Sequence, residues 1–169
     1  MAQAKKGKKV ILLWRLLKDS KEKDGTLMMF QTEHSVDKSR DSDSVITKTG
    51  VIRNVGALEE EISFTSLCAT DDPVLEYLDT AIDAGEELEL WEVDMNGEGK
   101  AGKYPAKYRR GYLSELNFTA NAEDNMEVEG TFATEMQAQK GEVALTTQQM
   151  EAAQYQFRGT EKVATPESH

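Results

Sequence analysis

Residues 60–85, EEISFTSLCATDDPVLEYLDTAIDAG, contain the two patterns that decide the fold class. In the first part, apolar and small side chains alternate with more polar ones, which predicts a half-buried β-strand. The second part predicts a helix, because Asp72 and Pro73 supply an N-cap carboxylate and a first-turn proline, and Gly85 ends a run of apolar residues at helical spacing. A strand is therefore followed directly by a helix that packs one face against a sheet.

The rest of the chain predicts mostly strands, at residues 10–17, 26–32, 45–54, 86–95, 112–120, 126–134 and 154–157. Gly50 predicts a turn or bulge, and Thr146 with Gln149 predicts the capping box of a short helix at residues 147–153. Residues 33–44 are polar and alternate in charge, so they predict a long exposed loop. The fold class expected is mainly β, an antiparallel β-sandwich or barrel with one flanking α-helix and a long inter-strand loop.

Length and charge limit the possible functions. The 169 residues suit one domain at residues 10–158, between a flexible basic arm at residues 1–9 and a polar tail at residues 159–169. No apolar run reaches the roughly 18 residues of a membrane span, and Cys68, the single cysteine, is expected to be a buried core thiol. A net charge of −11 argues against tight binding of nucleic acid over a broad face.

The sequence offers no convincing motif for chemistry. The glycine-rich segment 97–103 matches most of a phosphate-loop pattern, but Tyr104 and Pro105 follow it where a hydroxyl and a helix are needed. The internal histidine, His34, lies in the most polar segment, so no nucleophile is placed beside a base, and one cysteine with two histidines cannot form a zinc site. We therefore predict no catalytic, cofactor or metal site, and no enzyme.

A basic segment near residue 107 is the nearest approach to a nucleic-acid motif. It contains Lys103, Lys107, Arg109 and Arg110, interleaved with tyrosines and surrounded by acidic residues. We interpret it as a contact surface whose cations pair with carboxylates of a neighbouring subunit, in preference to a DNA-binding patch.

The chain as a whole resembles the major tail proteins of long-tailed bacteriophages of Gram-positive bacteria, the lactococcal-type tail tube family. The resemblance is carried by segments spread over nearly all of the chain: residues 4–8, 11–15, 30–34, 38–41 and 48–50, the Asp72-Pro73 helix start, and residues 89–91, 145–146 and 154–157. It implies a β-sandwich subunit with a side helix, assembled as hexameric rings that stack into the virion tail tube, the conduit for DNA ejection.

The same resemblance implies the partners. These are other copies of the chain, a tape-measure protein inside the tube, and tail terminator and distal tail proteins, with DNA as a transient passenger and assembly in the host cytoplasm. Other functions left open are a β-sandwich host-binding or adhesion module of a virion, which would expose loop aromatics, and a small acidic-site hydrolase.

Two groups of residues are candidates for a role in the tube, one for contacts between rings and one for lining the bore. The polar segment at residues 33–44 and the basic arm at residues 1–9 are expected to become ordered between rings. They contribute the candidate contacts Lys5, Lys6, His34, Lys38, Arg40 and Asp41. The polar faces of two predicted strands carry Glu115, Glu127 and Glu129, which either line the bore and repel DNA or face outside water.

Overall fold

In the computed structural model, which describes residues 2–97, 102–146 and 149–150, eight strands form one antiparallel sheet. The strands are β1 (Val10–Leu16), β2 (Thr26–Leu27), β3 (Gln31–Thr47), β4 (Gly50–Leu67), β5 (Leu88–Asp94), β6 (Tyr104–Thr119), β7 (Glu127–Thr134) and β8 (Gln139–Val143), with the helix α1 (Pro73–Ala84) between β4 and β5. Short 3-10 turns at Gly7–Lys9 and Leu17–Asp19 flank β1. The mainly β fold with one flanking helix is confirmed.

Strand β6 joins the two halves of the sheet, whose order is β2-β1-β5-β6-β7-β4-β3. The first half of β6 pairs with β5, and its second half pairs with β7 after a register shift between Leu113 and Glu115. Strand β8 pairs with the first half of β6 on the edge opposite β5, so it continues along the edge that β7 occupies. Gly111 lies where β5 and β7 both meet β6, and a Cβ atom there would overlap the carbonyl oxygen of Ala133.

The core lies between the two halves of this sheet and α1. Trp14 of β1 is fully buried, and its ring packs edge-on against Phe64 of β4 at 5.0 Å and Phe132 of β7 at 5.6 Å between centroids. Because three strands separate β1 from β4 in the sheet, these contacts require the sheet to curve back on itself. Helix α1 contributes Val74 and Leu78 to the same cluster.

Helix α1 begins and ends where the sequence predicts. One carboxylate oxygen of Asp72 accepts a hydrogen bond from Val74 N at 3.0 Å, and Pro73 occupies the first turn. Gly85 ends the helix in the left-handed region, with φ of 67°, where a side chain would be strained. The other Asp72 oxygen accepts from Met29 N at 2.9 Å, so the cap also fixes the segment after β2.

The loop predicted at residues 33–44 is wrong: these residues belong to β3, which pairs with β4 as far as a turn at residues 48–49. Beyond Asp37, both faces of the ribbon formed by β3 and β4 are exposed, so apolar and polar residues do not alternate along β3. Its backbone groups nevertheless pair as in any strand. The predicted turn at Gly50 is confirmed.

Two further expectations are corrected. The second strand predicted at residues 26–32 pairs with β1 only at Thr26 and Leu27, because the chain then turns away through Phe30, whose φ is 51°. Cys68 is half-buried just beyond β4, outside both core clusters.

The end of the chain is described only in part. The predicted capping box is confirmed, since Thr146 N donates to Gln149 Oε1 at 2.8 Å and Gln149 N donates to Thr146 Oγ1 at 3.2 Å. Most of the short helix predicted at 147–153, the strand predicted at 154–157 and the polar tail at 159–169 lie outside the described residues. Helix α1 has 12 residues, and no helix of the described chain is long and apolar enough to cross a membrane.

Candidate assembly surfaces

A two-stranded ribbon projects beyond the sheet, and we call it the arm, residues 38–60. Strand β4 pairs with β7 only from Glu61 to Leu67, so the part of the β3–β4 hairpin beyond Glu61 has no third strand beside it in the described chain. All residues from Asp37 to Ala57 except Thr47 are exposed. With a normal strand rise, the ten residues of β3 in the arm extend about 33 Å.

The tip of the arm is apolar on both faces. The register of β3 on β4 pairs Val45 with Ile52 on one face and Ile46 with Val51 on the other, where Val55 follows. These five side chains are between 52% and 85% exposed. A ribbon of two strands that buries neither face is marginally stable alone, so this tip is suited to contact with another surface.

A group of buried charges holds the base of the arm. Arg109 of β6 is 1% exposed, and its Nε lies 2.5 Å from Oε1 of Glu60, the last residue of the arm. Arg109 also lies 3.4 Å from Glu92 of β5, which is 2.8 Å from Nε2 of His34 on β3. We call these four residues the base network; it links the arm's two strands to β5 and β6.

The base network changes the ionisation of Glu92. The hydrogen bond with His34 is the largest cause that lowers the pKa of Glu92, and the charge of Arg109 adds to it, while burial acts in the opposite direction. Glu60 and Arg109 each keep one buried polar atom without a hydrogen-bond partner among the described residues. The network is therefore strongly paired but not fully satisfied.

The structure gathers the predicted ring contacts around the arm and the end of β5. Lys38, Arg40 and Asp41 lie in the arm, where Arg40 donates to Gly56 O at 3.0 Å and Asp41 faces a bulge at residues 56–57. His34 lies at the base. The basic stretch before β1, which contains Lys5 and Lys6 and which we call the lysine segment, reaches the same end of β5. Lys5 Nζ lies 2.6 Å from Asp94, and Lys6 N donates to Asn96 Oδ1 at 2.7 Å.

The contact of the lysine segment is reflected in the pKa of Asp94. Burial of this carboxyl acts to raise its pKa, but the hydrogen bonds from Lys5 and Asn96 outweigh it and lower the pKa to about 2. Glu92 and Asp94 are two residues apart and share one face of β5, so the lysine segment and the base network are neighbours.

A polar, acidic face covers the side of the sheet away from the core. In the half formed by β3, β4, β7 and the end of β6, the register aligns Glu33 with Thr65, Thr65 with Glu129 and Glu129 with Asn117. We call this surface the acidic face; its carboxylates are Glu33, Asp37, Glu61, Glu115, Glu127 and Glu129, and the aligned positions contain no lysine or arginine. The three glutamates predicted from the sequence therefore lie together.

Comparison with known proteins identifies the family. A family model described as phage tail tube protein matches residues 4–140. The chain belongs to the phage tail tube protein family. The resemblance found in the sequence is thereby confirmed, and the role of this tail tube protein is structural, as a component of the virion tail.

Relatives support the same assignment. A putative tail protein of Staphylococcus phage phiMR25 is 29% identical over 168 residues, which cover 96% of this tail tube protein and 86% of the relative. The SPP1 tail tube matches in fold with a TM-score of 0.75 at 12% identity, covering 98% of this chain and 93% of that one. The tail of an empty gene transfer agent particle, refined with C6 symmetry, matches with a TM-score of 0.63 at 13% identity, covering 80% and 98%.

In the basic segment of the tail tube protein, the two arginines predicted to contact a neighbouring subunit form ion pairs within the same chain. Arg109 is buried in the base network, and Arg110 pairs with Glu87 of the same chain at 3.2 Å. The hydroxyl of Tyr108 donates to Glu89 at 2.6 Å; burial and this bond raise the pKa of Tyr108. Carboxylates of the same chain therefore pair with Arg109 and Arg110, and the contact role of Lys103 and Lys107 stays a prediction.

Sequence reasoning missed two features of the site. The apolar tip was assigned to one strand at residues 45–54 with a turn or bulge at Gly50, although Val45-Ile46 and Val51-Ile52 on either side of Thr47–Gly50 are a hairpin signal. The carboxylates Glu33 and Asp37 were assigned to a loop, where no face can be defined. The available signal was their spacing of four, which is two strand periods, together with the spacing of two between Glu59 and Glu61 on the partner strand.

Proposed function

We propose that this tail tube protein is the major tail protein that assembles as stacked hexameric rings, with DNA leaving through the bore. The observation that carries the proposal is the arm: a ribbon about 33 Å long, apolar at its tip on both faces, in a chain whose family builds tail tubes. Such a surface is expected to be buried by another subunit.

Ring closure has a structural basis in the sheet edges. In the described chain the sheet ends at β3 on one side and at the two-residue β2 on the other. An open edge of 17 residues on β3 invites pairing with a neighbour, and head-to-tail contacts of this type close into a ring. The C6 symmetry applied to the gene transfer agent tail, a similar fold, supports six subunits.

Stacking is assigned to the arm and to the lysine segment. The candidate contacts are Lys5, Lys6, His34, Lys38, Arg40 and Asp41, of which His34 acts indirectly because the base network holds it inside the subunit. The apolar tip then supplies the buried area, and the charged residues closer to the base supply register and specificity.

The bore is assigned to the acidic face. Six carboxylates without a basic residue among the aligned positions give a surface that repels phosphate, so DNA passes without adhering. A tape-measure protein would occupy the same bore before ejection, and terminator and distal tail proteins would cap the two ends. We propose that assembly takes place in the host cytoplasm and that no reaction is catalysed.

The test is to shorten the arm. Replacing residues 43–54 by Asn-Gly joins Ser42 to Val55, which face each other in the ladder, through a two-residue turn. The wild-type protein should form hollow tubes of constant diameter by negative-stain microscopy, whereas the shortened variant should keep its melting temperature and form none.

A control keeps the arm at full length and changes Ser39, Ser42 and Ser44 to Ala, which leaves the apolar tip intact. This control should form tubes. Tubes from the shortened variant at the wild-type yield would refute the stacking role of the arm, and a wild-type protein that forms neither rings nor tubes would refute the function.

A further inference from the structure

Among the described residues, the side chain of Gln31 lies at the outer edge of β1 where the pairing with β2 ends. Strand β2 pairs with β1 only at Leu13 and Trp14, and the next backbone groups along that edge belong to Leu12. The Gln31 amide satisfies them, because its Oε1 accepts from Leu12 N at 2.9 Å and its Nε2 donates to Leu12 O at 2.8 Å. This two-point contact is the one that a strand residue makes in an antiparallel ladder.

The orientation of the Gln31 amide is fixed. Its second N–H donates to Met28 O at 2.9 Å, so reversing the amide would place donors against Leu12 N–H and acceptors against two carbonyl oxygens. The surrounding segment is also held, since Ser66 Oγ donates to Met29 O at 2.7 Å and Leu67 N donates to Phe30 O at 3.1 Å.

Phe30 adopts a strained conformation immediately before Gln31. Its φ of 51° is in the left-handed region, where a bulky residue is an outlier, and its side chain is 57% exposed. The exposed ring contributes little burial that would offset this cost. The turn places Gln31 both at the start of β3 and against β1, so the strain accompanies the edge contact.

The edge that Gln31 covers lies beside an open cavity. A cavity of about 830 Å³ is lined by Val10 and Ile11 of β1, by Leu27, and by residues 28–34, which include Gln31 itself. Within the parts of the chain that the structure describes, this cavity leaves room along the edge for an extended chain. Each copy also carries the β3 edge, at which the sheet of the described chain ends, so two copies have complementary edges.

We propose that Gln31 is an edge guard: its amide keeps the Leu12 edge of β1 closed to strand addition by a second copy of this chain. Free subunits can then pair their sheet edges only at positions other than Leu12. This proposal concerns the regulation of self-assembly, and it rests on the proposed function only in treating the chain as one that self-associates.

The experiment compares variants of the full chain at position 31. In Gln31→Met the side chain keeps its length and loses both hydrogen-bonding groups, and in Gln31→Asn the amide is one methylene too short to reach Leu12. Both variants should expose the Leu12 amide to hydrogen exchange. In sedimentation velocity, both should self-associate at a concentration about tenfold lower than the wild type.

Ser66→Ala is the matched control, because it removes a bond to the same segment without uncovering the β1 edge. It should associate as the wild type does, and it corrects for any loss of stability shared with the Gln31 variants. The use of Asn as well as Met separates an open edge from added hydrophobicity.

Two outcomes overturn the guard. If Leu12 exchanges fast in both variants and their association is unchanged, the edge has no affinity for a second copy. If Leu12 stays protected, another part of the same chain covers the edge. Wild-type tube formation is scored separately, so failure of the guard is distinguishable from failure of the proposed function.

Discussion

At the scale of single residues, Asp72 connects two parts of the fold, because one carboxylate caps α1 and also holds the segment after β2. Asp72→Ala removes the acceptors for Val74 N and Met29 N together. We expect the free energy of unfolding to fall by about 2 kcal/mol, as for a lost cap and one further hydrogen bond. Urea denaturation monitored by circular dichroism measures it.

Asp72→Asn is the control for charge. Burial raises the pKa of Asp72, which means that its charge is costly to keep inside the protein. An uncharged amide that keeps one acceptor should therefore cost less than half as much as alanine. Equal losses for the two variants would show that the acceptor retained by asparagine contributes nothing to stability.

Glu92 makes the stability of the fold depend on pH. Its pKa is lowered in the folded protein from an ordinary 4.5, first by the hydrogen bond with His34, so its ionised form stabilises the fold. That stabilisation is complete above the pKa of the unfolded chain and is lost as the pH falls through the lower folded value.

The stability difference between the wild type and Glu92→Gln should therefore shrink as the pH falls below about 4.5. Chemical denaturation across this range measures it. A difference that stays the same down to about pH 3 would contradict the assigned role of Glu92.

At the scale of elements, the base network determines how firmly the arm joins the sheet. Arg109→Met leaves Glu60 buried without its partner, and the expected loss in unfolding free energy is about 3–5 kcal/mol. The double variant Arg109→Met with Glu60→Met removes both charges and should recover most of this loss. A double variant as unstable as the single one would mean that the pair's packing matters more than its charges.

Elements with a buried face could be predicted from the sequence, and those without one could not. The alternation in β4 and β7 and the helical spacing in α1 reflect contact with one core, so the periodicity locates them. The backbone of β3 is paired, but beyond Asp37 both of its faces are exposed to solvent. Its polar composition therefore indicates a loop. The early end of β2 depends on the hydrogen bonds of Gln31 with Leu12 and of Met29 with Asp72. These bonds join residues that are distant in sequence, so no local pattern predicts them.

At the scale of the whole molecule, the acidic face could be predicted in part and the base network not at all, again because only strands with a buried face are recognisable in the sequence. Glu115, Glu127 and Glu129 could be grouped because they lie opposite apolar residues in recognisable strands. Glu33 and Asp37 joined them only when the pairing of β3 was known. The base network could not be predicted, since its four residues come from four strands that meet through the curvature of the sheet.

The acidic face permits a test of the bore in assembled tubes. Changing Glu115, Glu127 and Glu129 to Lys replaces repulsion of phosphate by attraction, and DNA that is bound in this way is released by salt.

The matched control changes Glu76, Asp79 and Asp83 to Lys. These exposed residues lie on α1, across the core from the acidic face. Both variants should bind DNA, but only DNA inside the bore is shielded from nuclease. We expect protected DNA with the first variant and digested DNA with the second; digestion with both would place the glutamates on the outer wall.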